Sequence, residues 1–505
     1  ITLKTWGGFI YMTNLFSKAI SIESNKTKTE NGANAFKSTN DSLVDLFSII
    51  GSLRGRRKEE IEDLFAKAHA EDPLLAIKMA FYARNIRGGL GERETFKTII
   101  RWLAINHPQQ LIHNLVYIPH FGRWDDMYAL IGTPVEEHMW LMIANQFLDD
   151  IKALKTPEAK VSLLGKWLKS ANASSEETRR LGRLTAKKLG LSPKQYRIAL
   201  TELRKRIKVV ESQMSANKWE EIEFSEVPSK AMMNYRVAFQ RHQPTRFEEY
   251  KESLKNRTSK INTDTLFPYE ILERANLGIN YMKGTFEINE DPILEAQWKA
   301  LPNYVEEPAN FLVMADTSGS MTGRPMATSI SLAIYFAERN RGAFHNQFMT
   351  FSRRPQFVEL KGNSLREKVS HIESIIDNTD LEMAFKEILS VAVSNAVPQE
   401  DMPKSLIVIS DGEIDSFASS RSHWSFLSNM QNEFESAGYR LPKVVMWNVA
   451  SRGNRFIDTI GNPNIQFISG SSPSSFKALI NGQNFTAQEL MYETLNDEMY
   501  SMIHI

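Results

Sequence analysis

The residues best suited to chemistry form the run Asp316-Thr317-Ser318-Gly319-Ser320, which directly follows an apolar segment. One carboxylate and two hydroxyls alternate along this run and lead into a turn that contains glycine. Such oxygens suit a hard divalent cation, because Mg²⁺ prefers near-octahedral oxygen ligands and usually keeps several waters. The run therefore predicts a site for Mg²⁺, or for another divalent cation such as Mn²⁺ or Ca²⁺, with positions left for an outside ligand.

Two more oxygen-bearing residues, Thr379 and Asp411, complete this candidate site. Asp316 and Asp411 each end an apolar, strand-like segment. In open α/β sheets, ligands bind beyond the carboxyl ends of the strands, where the strand order reverses. Thr379 precedes a helical segment whose positive N-terminal end would face the same crevice. The plain alternative is that each aspartate only caps a turn or a helix at a strand-to-helix junction.

The chain changes texture near Pro302, and this change divides it into two halves. Apolar residues at helical spacing run from Ser42 to about Leu277, broken by Pro, Gly and Asn, and predict stacked helical hairpins. After Pro302, strand-like and helical segments alternate, which predicts a doubly wound, Rossmann-like α/β domain with a mostly parallel sheet. We expect a multidomain protein with an irregular N-terminal arm at 1–40, a helical domain at 41–290 and the α/β domain at 305–505.

Composition limits the possible partners. The 505 residues contain 61 Lys and Arg against 60 Asp and Glu, so any basic surface must be local. The segment 176–210 is strongly basic, and it is either a nucleic-acid surface or a solvated helical face. The absence of cysteine excludes disulfides, thiolate metal sites and a cysteine nucleophile. No stretch reaches membrane length or has a secretory pattern, so we expect a cytoplasmic protein without membrane contacts.

The candidate cation site resembles the metal-ion-dependent adhesion site of von Willebrand factor A domains, and all five positions of that motif are present. They are Asp316, Ser318, Ser320, Thr379 and Asp411. The resemblance implies that the serines and the threonine lie close to the metal and that the aspartates often act through water. It also implies that the acidic group of a protein partner takes the remaining position.

Two runs of the helical half, 76–94 and 119–127, resemble Ro-autoantigen (TROVE-type) proteins. The runs 212–219 and 227–232 fit an uncharacterised family of plants, bacteria and large DNA viruses that joins a similar half to a von Willebrand A domain. The resemblance implies HEAT-like helical repeats arranged as a ring that binds small, misfolded or structured noncoding RNA in a ribonucleoprotein. The basic residues implied to bind RNA are Arg84, Arg87, Arg93, Lys187, Lys188, Arg204, Lys205 and Arg206. Trp102, Trp124 and Trp167 could stack on bases, although tryptophan at helical spacing is usually core.

Three functions are compatible with these patterns. The first is a non-enzymatic, Ro-like RNA-binding protein whose metal site binds a partner carboxylate. The second is a protein-interaction scaffold or virus-encoded assembly component that uses the metal site without RNA. The third and weakest is a metal-dependent phosphohydrolase, since a phosphoryl-accepting aspartate normally has a second carboxylate two residues later, where this chain has Ser318.

Overall fold

The computed structural model has a helical N-terminal half and a C-terminal half built around one six-stranded sheet. It describes residues 3–6, 9–12, 15–305, 310–341, 343–351, 355–374, 380–413, 426–481 and 485–505. None of the helices within these ranges combines the length and the apolar character that crossing a bilayer requires.

The N-terminal segment contains regular structure, in contrast to the irregular arm predicted for 1–40. Its elements are β1 Leu3–Trp6, β2 Phe9–Met12, α1 Leu15–Asn25, β3 Lys26–Lys28 and β4 Asn34–Phe36. The Asn25 side chain donates to the carbonyl of Ser38 and accepts from its backbone N–H, at 2.8 and 2.9 Å. Phe36 exchanges two backbone hydrogen bonds with Phe456, 420 positions along the chain. The polar composition of this segment did not predict regular structure, because a stabilising contact comes from Phe456 in the other half of the protein.

Fifteen helices of the described chain follow before the large sheet, together with a small hairpin. They are α2 Ser42–Ile49, α3 Lys58–Glu71, α4 Pro73–Arg84, α5 Glu94–Asn106, α6 Pro108–Asn114, α7 Ile118–Phe121, α8 Glu136–Ala153, α9 Leu164–Trp167, α10 Glu176–Lys188, α11 Pro193–Arg206, α12 Val210–Ser215, α13 Ser229–His242, α14 Pro244–Lys255, α15 Pro268–Arg274 and α16 Pro292–Lys299, with β5 Gly278–Asn280 and β6 Thr285–Glu287. Many begin at a proline, whose fixed φ suits the first helical turn. The helical half extends past the predicted boundary at 290, because α16 packs against α13 and Gln297 donates to the carbonyl of Ser229 at 2.9 Å.

The C-terminal half alternates strands and helices, as predicted. Its elements are β7 Phe311–Asp316, α17 Arg324–Arg339, β8 Gln347–Phe351, β9 Gln356–Glu359, α18 Leu365–Ser370, α19 Leu381–Ser394, β10 Ser405–Ser410, α20 Phe426–Ser436, β11 Lys443–Asn448, β12 Ile465–Ser469, α21 Ser475–Asn481 and α22 Ala487–Leu495.

The strand order is β12-β11-β10-β7-β8-β9, and all neighbours are parallel except β8 and β9. From β7 the strands follow one another outward to β8 and β9 on one side of the sheet. The next strand, β10, pairs with the other side of β7, and β11 and β12 continue outward from it. The order reverses between β7 and β10, as expected for a doubly wound sheet. Every residue of β7 is buried, which explains its unbroken apolar sequence.

The two halves share one hydrophobic core. Helix α2 packs against β12, and α15 packs against α17 at a different part of the α/β half. Ile86, after α4, packs with Phe267 at the start of α15 and with Ala327 of α17. The early and late helices of the N-terminal half therefore meet each other and the α/β half.

Candidate functional site

Two aspartates lie at the carboxyl ends of the central strands β7 and β10. These strands pair in parallel, with Ala315 opposite Ile409. Asp316 and Ser410 are the next residues of the two strands and therefore lie side by side. The Ser410 hydroxyl donates to Asp316 Oδ2 at 2.8 Å. Asp316 is fully buried and Asp411 is 2% exposed. The structure thus confirms that both carboxylates lie at the point where the strand order reverses.

The loop after β7 adds hydroxyl oxygens to these carboxylates. The Ser318 backbone N–H donates to Asp316 Oδ1 at 2.9 Å, and the hydroxyl oxygens of Ser318 and Ser320 lie 3.0 Å apart. Burial, reinforced by the negative charge of Asp411, raises the pKa of Asp316 to about 7. Four of the five predicted ligands therefore gather at one edge of the sheet; the fifth, Thr379, lies outside the described residues.

This oxygen set fits a hard divalent cation. Asp411 Oδ2 is buried and has no hydrogen-bond partner among the described residues, and the same holds for the Thr317 hydroxyl. An unpartnered buried carboxylate oxygen is costly unless a cation or a donor satisfies it. Within the described ranges, no three His, Cys, Asp or Glu side chains are grouped so that they could hold a metal. The candidate ligands at this site are therefore two carboxylates together with serine hydroxyls. Mg²⁺, Mn²⁺ and Ca²⁺ prefer such oxygens.

An ionic network that the sequence did not predict borders this site. Arg452 Nη2 lies 3.6 Å from Asp411 Oδ2, and its Nη1 lies 3.5 Å from Glu30 Oε2. Arg455 Nη1 pairs with Glu413 Oε1 at 2.5 Å and with Glu30 Oε1 at 3.4 Å. The N-terminal segment therefore contacts the loop that carries Asp411. No sequence signal could indicate it, because Glu30 and the two arginines are more than 400 positions apart.

A second site gathers cations around the two aspartates of the run 119–127. Asp126 Oδ2 accepts from Arg84 Nε at 2.7 Å, and its Oδ1 accepts from Arg93 Nε at 3.1 Å. Asp125 pairs with Arg93 at 2.6 Å, with Arg123 at 3.0 Å and with Lys169 at 3.0 Å. Four cations therefore surround two carboxylates. We call Arg84, Arg93, Arg123, Lys169, Asp125 and Asp126 the Asp125 cluster.

The Asp125 cluster is open to solvent on its cationic side. The side chains of Arg93, Arg123 and Lys169 are 35%, 29% and 27% exposed, whereas both aspartates are almost completely buried. The Arg123 guanidinium stacks 4.0 Å from the ring centroid of Trp167, which is half-buried. Burial lowers the pKa of Arg123 and the neighbouring Arg93 lowers it further, against the opposing effect of Asp125. The cluster contains four cations and two carboxylates, so it has excess positive charge beside the ring of Trp167.

Several of the eight basic residues implied to bind RNA use their donors within the protein. Arg84 is 4% exposed and paired with Asp126. Arg204 donates to the carbonyls of Gly165 and Leu168, each at 2.9 Å. These two arginines therefore have structural roles in this fold.

The other six predicted residues differ in exposure. Arg206 is half-buried and donates to the carbonyls of Thr156 and Ala159. Lys188 pairs with Glu137 at 2.6 Å, and Arg93 belongs to the Asp125 cluster. The remaining three are exposed and have no ion pair with a described residue: Arg87, Lys187 and Lys205. Sequence analysis missed Arg123 and Lys169, although Arg123 stands in the run 119–127.

Of the three tryptophans considered for base stacking, only Trp124 is a core residue, whereas Trp102 and Trp167 are half-buried and pack against the core. Trp124 is 8% exposed, and Trp102 packs edge-on against Phe65. Of these three, Trp167 is the one whose ring packs against a guanidinium of the Asp125 cluster.

Comparisons with known proteins identify the relatives of this chain. A family model described as "Domain of unknown function (DUF2828)" matches residues 29–162 and 137–310, and one described as "Domain of unknown function (DUF7788)" matches residues 310–502. The chain is similar to "Uncharacterized protein L728" of Acanthamoeba polyphaga mimivirus, with 26% identity over 524 residues that cover 95% of this chain and 89% of that protein. Among solved structures it is similar to the RO (RSR) protein of Deinococcus radiodurans, with 12% identity and a TM-score of 0.46, covering 91% of this chain and 100% of that one.

Proposed function

The chain belongs to the DUF2828 family, whose model spans more than half of it, and we propose that it is a non-enzymatic RNA-binding protein. Its helical half binds small noncoding RNA, and its α/β half binds the acidic group of a protein partner through a divalent cation. The two activities use separate surfaces: the three partly exposed cations of the Asp125 cluster, Arg93, Arg123 and Lys169, and the carboxyl ends of β7 and β10.

The excess positive charge of the Asp125 cluster carries the RNA proposal. Four cations face two buried carboxylates, and the side chains of three of these cations, Arg93, Arg123 and Lys169, are partly exposed. Basic groups that neutralise RNA phosphates release counterions, which favours binding at low salt. The half-buried Trp167 supplies an aromatic face beside this charge, as recognition of unpaired bases requires. The exposed Arg87, Lys187 and Lys205 are secondary candidates for phosphate contacts.

We expect the double variant Arg123→Gln, Lys169→Gln to bind a fluorescein-labelled single-stranded RNA about tenfold more weakly than the wild-type protein. Each lost phosphate contact also lowers the slope of log K against log salt by about 0.7, so the slope falls by about 1.4. Fluorescence anisotropy at several KCl concentrations measures both quantities.

The matched control removes the same charge elsewhere. Lys67→Gln with Lys255→Gln neutralises two exposed lysines that form surface pairs with Asp63 and Glu252. This control should retain the wild-type affinity. Wild-type binding that is absent or independent of salt would refute the RNA proposal. Equal weakening by the two double variants would instead mean that the RNA contacts the surface non-specifically.

The second activity is supported by the oxygens at the ends of β7 and β10. Asp316, Ser318, Ser320 and Asp411 would hold the cation, and the von Willebrand A resemblance adds Thr379. The bound cation would supply a Lewis-acid centre for a carboxylate of the partner. Two hydrogen bonds orient the Asp316 carboxylate, one from the Ser410 hydroxyl and one from the Ser318 backbone N–H. We propose partner binding rather than phosphoryl transfer, because Ser318 stands where a second carboxylate would be needed.

We expect the wild-type protein to bind Mn²⁺ in competition with Mg²⁺, and Asp316→Asn to lower the Mn²⁺ affinity at least about 100-fold. The amide keeps the size of the side chain but removes a negative charge from the site. Electron paramagnetic resonance of free Mn²⁺ measures binding directly. Asp401→Asn is the control, because Asp401 is exposed and precedes β10 at the opposite end of that strand. A wild-type protein without Mn²⁺ binding, or an Asp316→Asn variant that binds normally, would refute this site.

A further inference from the structure

Arg452 connects the cation site to the N-terminal segment. Its Nη2 donates to the carbonyl of Ser320 at 2.7 Å and lies 3.6 Å from Asp411 Oδ2. Its Nη1 lies 3.5 Å from Glu30 Oε2. One guanidinium therefore contacts the loops that follow β7 and β10 and, at the same time, a carboxylate from the start of the chain.

The position of Glu30 is fixed by contacts of its own. Its backbone N–H donates to Glu413 Oε2 at 2.7 Å, and the Glu413 N–H donates to Asp411 Oδ1 at 3.1 Å. Arg455 pairs with both Glu30 and Glu413. The turn at 29–32 is thus held on the loop that carries Asp411, and Glu30 holds Arg452 close to that aspartate.

Arg452 and a divalent cation would both be attracted to the same oxygen. Asp411 Oδ2 is buried without a hydrogen-bond partner among the described residues, and Arg452 contributes positive charge beside it. A guanidinium and a dication a few ångströms apart repel each other, and this repulsion is weakly screened next to a buried carboxylate. Binding of the cation therefore requires that Arg452 give up its attraction to Asp411.

We propose that Arg452 competes with the divalent cation for Asp411 and thereby sets the cation affinity of the site. This inference rests on the proposed cation site and adds to it a regulating residue from the loop after β11. In the metal-free protein Arg452 balances part of the negative charge of the site. The contact with Glu30 places the cation site next to the N-terminal segment.

The test measures Mn²⁺ binding to the full-length protein by electron paramagnetic resonance. Arg452→Gln should bind Mn²⁺ about tenfold more tightly than the wild-type protein, because one like charge is removed at a partly exposed position. Arg452→Lys retains the charge and should keep an affinity close to that of the wild-type protein. Arg324→Gln is the matched control, since Arg324 is 41% exposed, compared with 44% for Arg452, and pairs with Glu273 instead of Asp411.

The outcomes separate this inference from the proposed site. Tighter Mn²⁺ binding by Arg452→Gln, with Arg452→Lys and Arg324→Gln close to the wild-type protein, supports the competition. Unchanged or weaker binding by Arg452→Gln overturns the competition, while loss of binding in Asp316→Asn would leave the cation site standing. Equal tightening by Arg324→Gln also overturns it, because the effect would then reflect net charge. Absence of Mn²⁺ binding in every variant overturns the cation site and the competition together.

Discussion

Asp126→Ala should lower the free energy of unfolding by about 3–5 kcal/mol, because it leaves a buried cation without its carboxylate. Asp126 is fully buried and accepts from Arg84 at 2.7 Å, from Arg93 at 3.1 Å and from the Arg123 backbone N–H at 3.0 Å. Arg84 is only 4% exposed, so bulk water does not reach its guanidinium in the folded protein. The nearby Glu92 is already paired with Arg54 at 2.8 Å and cannot compensate fully.

Urea-induced unfolding followed by circular dichroism measures this loss. The control is Asp149→Ala, which breaks an exposed pair with Lys152 at 3.4 Å and should cost about 0.5 kcal/mol or less. A midpoint for Asp126→Ala equal to that of the control would show that Arg84 does not depend on Asp126. The same substitution should weaken RNA binding, since Asp126 orients Arg93 within the Asp125 cluster.

The candidate cation site shows which features local sequence can predict. The segments before Asp316 and Asp411 are continuous apolar runs ending in a polar residue, and this pattern gives both the strands and their carboxyl ends. Parallel pairing then brings the two ends together without further information. Arg452 could not be predicted in the same way, because its contacts depend on the path of the N-terminal segment across the α/β half.

The basic segment shows the opposite case. Arg204 and Lys205 are adjacent in sequence and equally charged, yet Arg204 donates to the carbonyls of Gly165 and Leu168, in and just after α9, while Lys205 is exposed. A charge run specifies a polar helix face, but only tertiary packing decides which guanidinium satisfies backbone carbonyls. The Asp125 cluster likewise depends on tertiary packing, because its members extend from Arg84 in α4 to Lys169. The run 119–127 contains Asp125 and Asp126, but it does not indicate that Arg84, Arg93 and Lys169 pair with them.

The contact between the two halves leads to the second large effect. Gly51, after α2, lies directly against the backbone of Gly470, after β12, and its N–H donates to the Ser469 hydroxyl at 2.9 Å. A Cβ at Gly51 would lie 2.8 Å from both the Cα and the N of Gly470, which are backbone atoms that cannot rotate away. Ser451 strengthens this contact by donating its N–H to the carbonyl of Ser52 at 3.0 Å.

We therefore expect Gly51→Ala to lower the free energy of unfolding by about 3 kcal/mol, because the added methyl must push α2 away from β12. Thermal unfolding by scanning calorimetry measures this loss, and limited proteolysis should show earlier cleavage around the contact. Gly461→Ala is the matched control, since a Cβ there would meet only the Thr459 hydroxyl at 3.6 Å. If both variants unfolded at the wild-type temperature, the close approach of Gly51 and Gly470 would not be what joins the halves. If only Gly51→Ala were destabilised yet retained Mn²⁺ binding, the carboxyl ends of β7 and β10 would keep their geometry independently of how the helical half is attached.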